Sequence, residues 1–138
     1  MIAAIFLAGC SGNLFSYKGS KITQESLMVR LQDGNQQGVW RSNELAIMYR
    51  YQMSSQVLKL SGTAELAGGN KYFSHIAVYL LALDDQGVIM ADTLIYSGEN
   101  SRRMIMIPMD FEKTIPLPEG AMAISFAYDI TPFLSNGK

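Results

Sequence analysis

The chain has 138 residues, with 11 Lys and Arg against 12 Asp and Glu for a formal net charge of -1, a length that suits one domain with a substantial core. Hydrophobic residues make up 49% and charged residues 17%, which excludes a disordered polar tail and leaves no broad basic surface for nucleic acid. One His and one Cys exclude a His/Cys metal cluster and a Cys–His pair with a spare histidine.

The chain opens with an apolar run from Ile2 to Ala8, then Gly9, the single cysteine Cys10 and the polar residues Ser11-Gly12-Asn13. The run falls far short of the roughly twenty apolar residues that span a bilayer, so residues 1–9 read as the hydrophobic part of an export signal. No Lys or Arg precedes Ile2, where such signals carry positive charge, so the true start is expected upstream of Met1. An ordinary strand with a buried cysteine is the structural alternative. The tetrapeptide Leu7-Ala8-Gly9-Cys10 resembles the lipobox of bacterial lipoproteins at every position. That resemblance implies cleavage before Cys10, lipidation of its thiol and durable membrane attachment through several acyl chains. By the same resemblance Ser11, in place of Asp, implies the outer membrane, with the domain facing the periplasm.

Residues 10–26 contain Gly, Ser and Lys without sustained periodicity, as in a lipidated tether with a reach of roughly 20–24 Å. Leu14, Phe15 and Tyr17 within it can pack on the domain or lie at the membrane interface.

From 27 to 134 the pattern is that of strands, with a short tail at 135–138. Leu27 to Leu31 is a brief candidate, closed by the turn-rich Asp33-Gly34-Asn35 and Gly38, and Trp40 is expected to plug one end of the core. Leu45, Ile47, Tyr49 and Tyr51 alternate with Met48, Arg50 and Gln52, the period of a half-buried strand. Val57 to Leu66 alternates likewise, with Leu58, Leu60, Gly62 and Ala64 on one face. Tyr72 to Leu83 is the next candidate, with Ile76 to Leu81 apolar at both parities, as in a central strand covered on both sides. Asp84-Asp85-Gln86-Gly87 then suits a tight turn into Val88–Tyr96. Met104 to Phe111 alternates again, but Pro108 removes a ladder donor and places it at an edge or bulge. A last strand is expected from Met122 to about Ile130, with Met122, Ile124, Phe126 and Tyr128 facing the core.

Short strands at this spacing indicate an all-β fold, an antiparallel β-sandwich of about seven strands with immunoglobulin- or fibronectin-like architecture; a small β-barrel is the alternative. The stretch Leu60-Ser61-Gly62-Thr63-Ala64, the apolar strand after it and Leu83 to Ile89 also resemble bacterial immunoglobulin-like modules of the FxLYD kind. That family's closing pattern is replaced here by Met104 to Phe111.

Catalytic chemistry is thinly supplied. His75 and Ser74 are neighbours in a strand and point to opposite faces, so they form no nucleophile–base pair. Carboxylates Asp84, Asp85, Asp92, Asp110 and Glu112 would need to face one another across a cleft for acid–base work. Asp84 to Gly87 lacks the further ligands of a calcium loop. Among nine methionines, Met104, Met106 and Met109 invite comparison with thioether sites for Cu(I), against the plain reading that they fill an irregular core. No metal site, cofactor or enzymatic activity is expected.

An anchor, a tether and a β-domain without a chemical constellation lead to one expectation: a non-enzymatic, lipid-anchored module of the cell envelope. It would bind the membrane through Cys10 and dock a protein partner by a sheet edge or loops. Arg102, Arg103 and Pro108 are its candidate contact residues, against the plainer role of guarding an edge. The second expectation is a carrier or sensor of an apolar or carbohydrate ligand held among the aromatic residues. Tyr51 and Tyr96, near strand ends, are its best candidates, against plain core packing.

Overall fold

A computed structural model describes residues 17–66, 73–99 and 109–132. Its strands are β1 (Val29–Arg30), β2 (Gly34–Arg41), β3 (Leu45–Ser54), β4 (Val57–Leu66), β5 (Phe73–Leu83), β6 (Ile89–Glu99), β7 (Met109–Pro116) and β8 (Ala123–Pro132). They form two four-stranded antiparallel sheets, a back sheet in the order β1-β8-β5-β6 and a front sheet in the order β2-β3-β4-β7. The result is a β-sandwich of immunoglobulin-like architecture. The barrel alternative is corrected, because each sheet ends in its own edge strands instead of closing on itself.

β3 and β4 follow the expected period of two: Leu45, Ile47, Tyr49 and Tyr51 are buried opposite Leu58, Leu60 and Ala64, while Met48, Arg50, Lys59 and Glu65 are exposed. The hairpin between them closes on Ser55 and Gln56, both at positive φ (49° and 64°), the sense of a type I′ turn. The stretch around Gly34 and Gly38 is a strand, not the expected turn. β3 supplies a complete ladder partner from Met53 to Ala46, and the polar side chains of β2 are tolerated because it is an edge.

Trp40 plugs the core as expected, its ring edge-on to Phe126 at 5.5 Å and its Nε1–H donating to the Leu27 carbonyl at 3.0 Å. β5 is indeed central, between β8 and β6, and buried at both parities. Leu80 and its cross-strand partner Phe126 face the sandwich interior, since Phe126 meets Trp40 and Tyr49 of the front sheet. The opposite parity carries Leu81 and Ser125, also fully buried, so something covers the outer side of the back sheet.

That cover is a strap built from residues 17–31. Gly19 N–H donates to the Ile89 carbonyl (2.8 Å), Ile89 N–H to the Ser20 carbonyl (2.7 Å) and Ile22 N–H to the Gly87 carbonyl (2.9 Å), which fixes the strap to the start of β6. It then turns through a single 3₁₀ turn, Glu25–Leu27, and reaches the far edge, where Val29 and Arg30 pair with Ile124 and Ala123 of β8. Tyr17, Ile22 and Leu27 are its buried side chains. Of the segment read as a tether, the part from Tyr17 onward therefore belongs to the packed body.

The 84–87 turn has the expected chemistry: Asp84 Oδ1 accepts the N–H groups of Gln86 (2.8 Å) and Val88 (2.9 Å), and Gly87 takes φ +88°. β7 begins at Met109 and lies at the edge of the front sheet. Met122 is exposed, contrary to the expected core position. It precedes β8, and its backbone bonds both Leu83 and Leu31.

Candidate functional site

The front sheet turns one face to the interior and the other to solvent. Its register sets the outward side chains in rows across β2, β3, β4 and β7. Asn35, Gln52, Lys59 and Thr114 form one row, Gln37, Arg50, Ser61 and Glu112 the next, and Val39, Met48, Thr63 and Asp110 the third. Two shallow, open depressions of ≈ 390 and ≈ 430 Å³ lie on this face and share Gln37 and Arg50. The floor of the second includes Gly38 and Gly62, both directly opposite Tyr49 in the register. From the core side, the Tyr49 ring closes over Gly38 and the Phe111 ring over Gly62.

Arg50 and Lys59 are diagonal neighbours on adjacent strands, one row apart. Among the described residues neither makes an ion pair or a side-chain hydrogen bond; the described ion pair is Arg30 with Glu25, at 3.1 Å on the strap. Asp110 at the β7 rim accepts the Thr63 hydroxyl at 2.7 Å. Glu112 shares the Arg50 row with Ser61 between them. The face thus offers a guanidinium, an ammonium and several amides without internal partners, a set able to hold carboxylate oxygens by charge-assisted hydrogen bonds.

No family model matches this chain, and neither does any curated protein or solved structure.

The shifted titrations belong to packed tyrosines and to one turn carboxylate. Burial, aided by Tyr79, Asp129 and Asp92, pushes the Tyr17 hydroxyl up to about 12. Tyr79 rises through burial and then Asp129 and Asp92, and Tyr49 through burial and Tyr51. Burial also raises Tyr128, although its hydroxyl bonds Ser42. Asp84 is held low by the N–H groups of Val88 and Gln86, as a turn-capping carboxylate should be.

Tyr51 and Tyr96 are not brought together. Tyr51 is a front-sheet residue at 4% exposure, lying parallel to Tyr49 at 6.3 Å between centroids, and its hydroxyl accepts the Gln32 N–H at 3.0 Å. It lines the first depression, but its ring belongs to the core. Tyr96 is half-buried on β6 in the back sheet, its ring over Gly98. Ser74 donates its hydroxyl to the Thr131 carbonyl (3.1 Å). Met109 is a core residue opposite Ala64. Cys10, Arg102, Arg103, Met104, Met106 and Pro108 lie outside the described residues. Among the described residues, no group of three or more His, Cys, Asp or Glu could hold a metal ion.

Sequence reasoning passed over Arg50, Lys59, Gln37 and Gln52. The available signal was the polar parity of β3 and β4, which a single sequence does not distinguish from an ordinary solvated face; the register is what gathers these residues.

Proposed function

We propose that this protein is a lipid-anchored, non-enzymatic interaction module of the bacterial cell envelope, held in the outer membrane through Cys10 and docking a protein partner in the periplasm. The observation that carries this reading is the opposition of the two outer faces. The strap brings the N-terminal end of the described chain to Tyr17, whose ring lies against Tyr79 at 5.5 Å on the outer side of the back sheet. At no more than about 3.6 Å per residue, Cys10 is within roughly 25 Å of that point. The polar face of the front sheet looks the other way, so an anchor on the strap side leaves that face free for a partner. The lipobox Leu7-Ala8-Gly9-Cys10 supports the anchor, and two or more acyl chains suffice for durable attachment. The aromatic residues that would serve a carrier are dispersed, Tyr51 in one sheet and Tyr96 in the other.

The test is co-purification. The full-length protein is extracted from native membranes after mild crosslinking, beside a Cys10→Ala control, and companions are identified by mass. The expected result is membrane-bound wild type with a stoichiometric companion, and a soluble control without it. A wild type found free of membranes would overturn the anchor. A membrane-bound protein without a companion would overturn the docking role.

A further inference from the structure

We infer that the depression around Arg50 and Lys59 docks an acidic, extended peptide segment in which carboxylate side chains two residues apart are followed, two further on, by an apolar one. This deepens the interaction-module reading and rests on it. Lys59 stands in the first row of the face, Arg50 in the second, and the Val39–Met48 pair in the third. Rows along a strand are about 6.6–6.8 Å apart, which is also the i, i+2 spacing of an extended peptide. A segment laid along the strands therefore places successive same-side residues over Lys59, over Arg50 and over Val39–Met48.

Charge decides the first two positions. The depression that holds Arg50 and Lys59 is lined otherwise by amides, Ser61 and Tyr51, with no carboxylate. Both cations lack an ion pair among the described residues. Of the acids of this face, Asp110 and Glu112 stand on β7 beyond β4, with Asp110 already engaged by Thr63, and Glu65 stands on β4 two rows beyond the Arg50 row. An incoming carboxylate meets Arg50 in the fork geometry that favours it and Lys59 as a point charge. Apolar exposure decides the third position, because Val39 and Met48 lie directly opposite each other at 50% and 39% exposure and are the exposed large apolar side chains among the described residues of this face. An unbranched thioether adapts to varied apolar side chains. An anionic glycan is the weaker fit: a sugar ring stacks on exposed aromatic faces, and Tyr51, the aromatic residue lining this depression, is buried.

The experiment uses the purified full-length protein in neutral detergent and a fluorescent peptide with the core Glu-Ser-Glu-Ser-Leu, in both chain directions, read by anisotropy. Binding by one direction is expected, weakened about tenfold or more in R50Q/K59Q and by a Gln-Ser-Gln-Ser-Leu core, since each change removes charge-assisted hydrogen bonds. Both substitutions are at exposed positions, and an unchanged thermal midpoint verifies the fold. Absence of binding at millimolar peptide, or equal affinity for R50Q/K59Q or the glutamine peptide, overturns the site. Polygalacturonate binding that needs Arg50 and Lys59 while the peptide fails assigns an anionic glycan and overturns the peptide. The crosslinking experiment separates the two levels: a companion retained by R50Q/K59Q removes this site and leaves the module, whereas no companion with wild type removes the module itself.

Discussion

Trp40 and Ser125 come from opposite sheets and donate to the same acceptor, the Leu27 carbonyl, through Nε1–H and the Oγ hydroxyl respectively. A carbonyl has two lone pairs, and here both donors come from buried side chains, so the strap is pinned where the two layers meet. Ser125→Ala is expected to cost about 1 kcal/mol, because Trp40 still satisfies the carbonyl. Trp40→Phe is expected to cost about 1–3 kcal/mol through the lost donor and the lost volume. The double variant should exceed the sum by about 1 kcal/mol, since only then is the buried carbonyl left bare. A double-mutant cycle by urea unfolding measures this, and strict additivity would show that the two donors are not coupled through Leu27.

Gly38 and Gly62 flank Tyr49 on adjacent strands, but they differ in what a methyl group would meet. At Gly62 it would run into the Met48 carbonyl, which is backbone, and come within 2.9 Å of the Phe111 ring. At Gly38 its nearest neighbours are the hydroxyl end of Tyr49, at 2.6 Å, and the adjoining ring carbon, at 2.9 Å. A side-chain tip can swing away and a ladder strand cannot. Gly62→Ala is therefore expected to destabilise by about 1–3 kcal/mol and Gly38→Ala by less. Chemical unfolding of the two variants checks the order, and a larger loss at Gly38 would refute it.

The contrast between those strands also shows what one sequence can and cannot reveal. β3 and β4 were legible because their apolar residues alternate without a break, and β5 because it is apolar at both parities. β2 was hidden: its inward positions are Gln36, Gly38 and Trp40, its outward ones include Val39, and its existence depends on the ladder that β3 offers. The end of the strap was read as a brief strand at Leu27 to Leu31, where β1 lies, but the stretch before it was hidden for a related reason. It has no period, and it is held by three separated side chains, Tyr17, Ile22 and Leu27, whose burial depends on the sheet beneath them. The candidate face was half visible, since the polar parity of β3 and β4 could be read but not the pairing that sets Arg50 beside Lys59.

Tyr17 links the strap to alkaline stability. Its hydroxyl holds its proton to about 12 in the folded protein, against an ordinary value of 10.0. A raised folded value means that the contribution to stability is complete below the unfolded value and is lost as pH rises toward the folded one. Stability should therefore fall between about pH 10 and 12 as the unfolded chain ionises. Tyr17→Phe should flatten that fall without abolishing it, because Tyr79 in the same cluster is raised as well. Urea midpoints measured at about pH 8 and at steps above pH 10 test the slope. An identical slope in the variant would show that Tyr17 does not titrate in this way.

The β3–β4 turn carries a cost that substitution can remove. Ser55 and Gln56 both sit at positive φ, in the left-handed region that non-glycine residues enter only with strain. Asn and Gly occupy these two positions readily in type I′ hairpins. The Gln56 carbonyl accepts the Leu117 N–H at 2.9 Å, a main-chain contact that a side-chain change does not remove. Ser55→Asn with Gln56→Gly is accordingly expected to stabilise the fold by about 1 kcal/mol, most of it from the glycine. The turn lies at the end of the front sheet nearest the Lys59 row, Gln56 standing three residues before that lysine. The same variant should leave peptide affinity at Arg50 and Lys59 unchanged, and calorimetric unfolding beside anisotropy reads both quantities. A lowered thermal midpoint would mean that the turn relies on the native side chains.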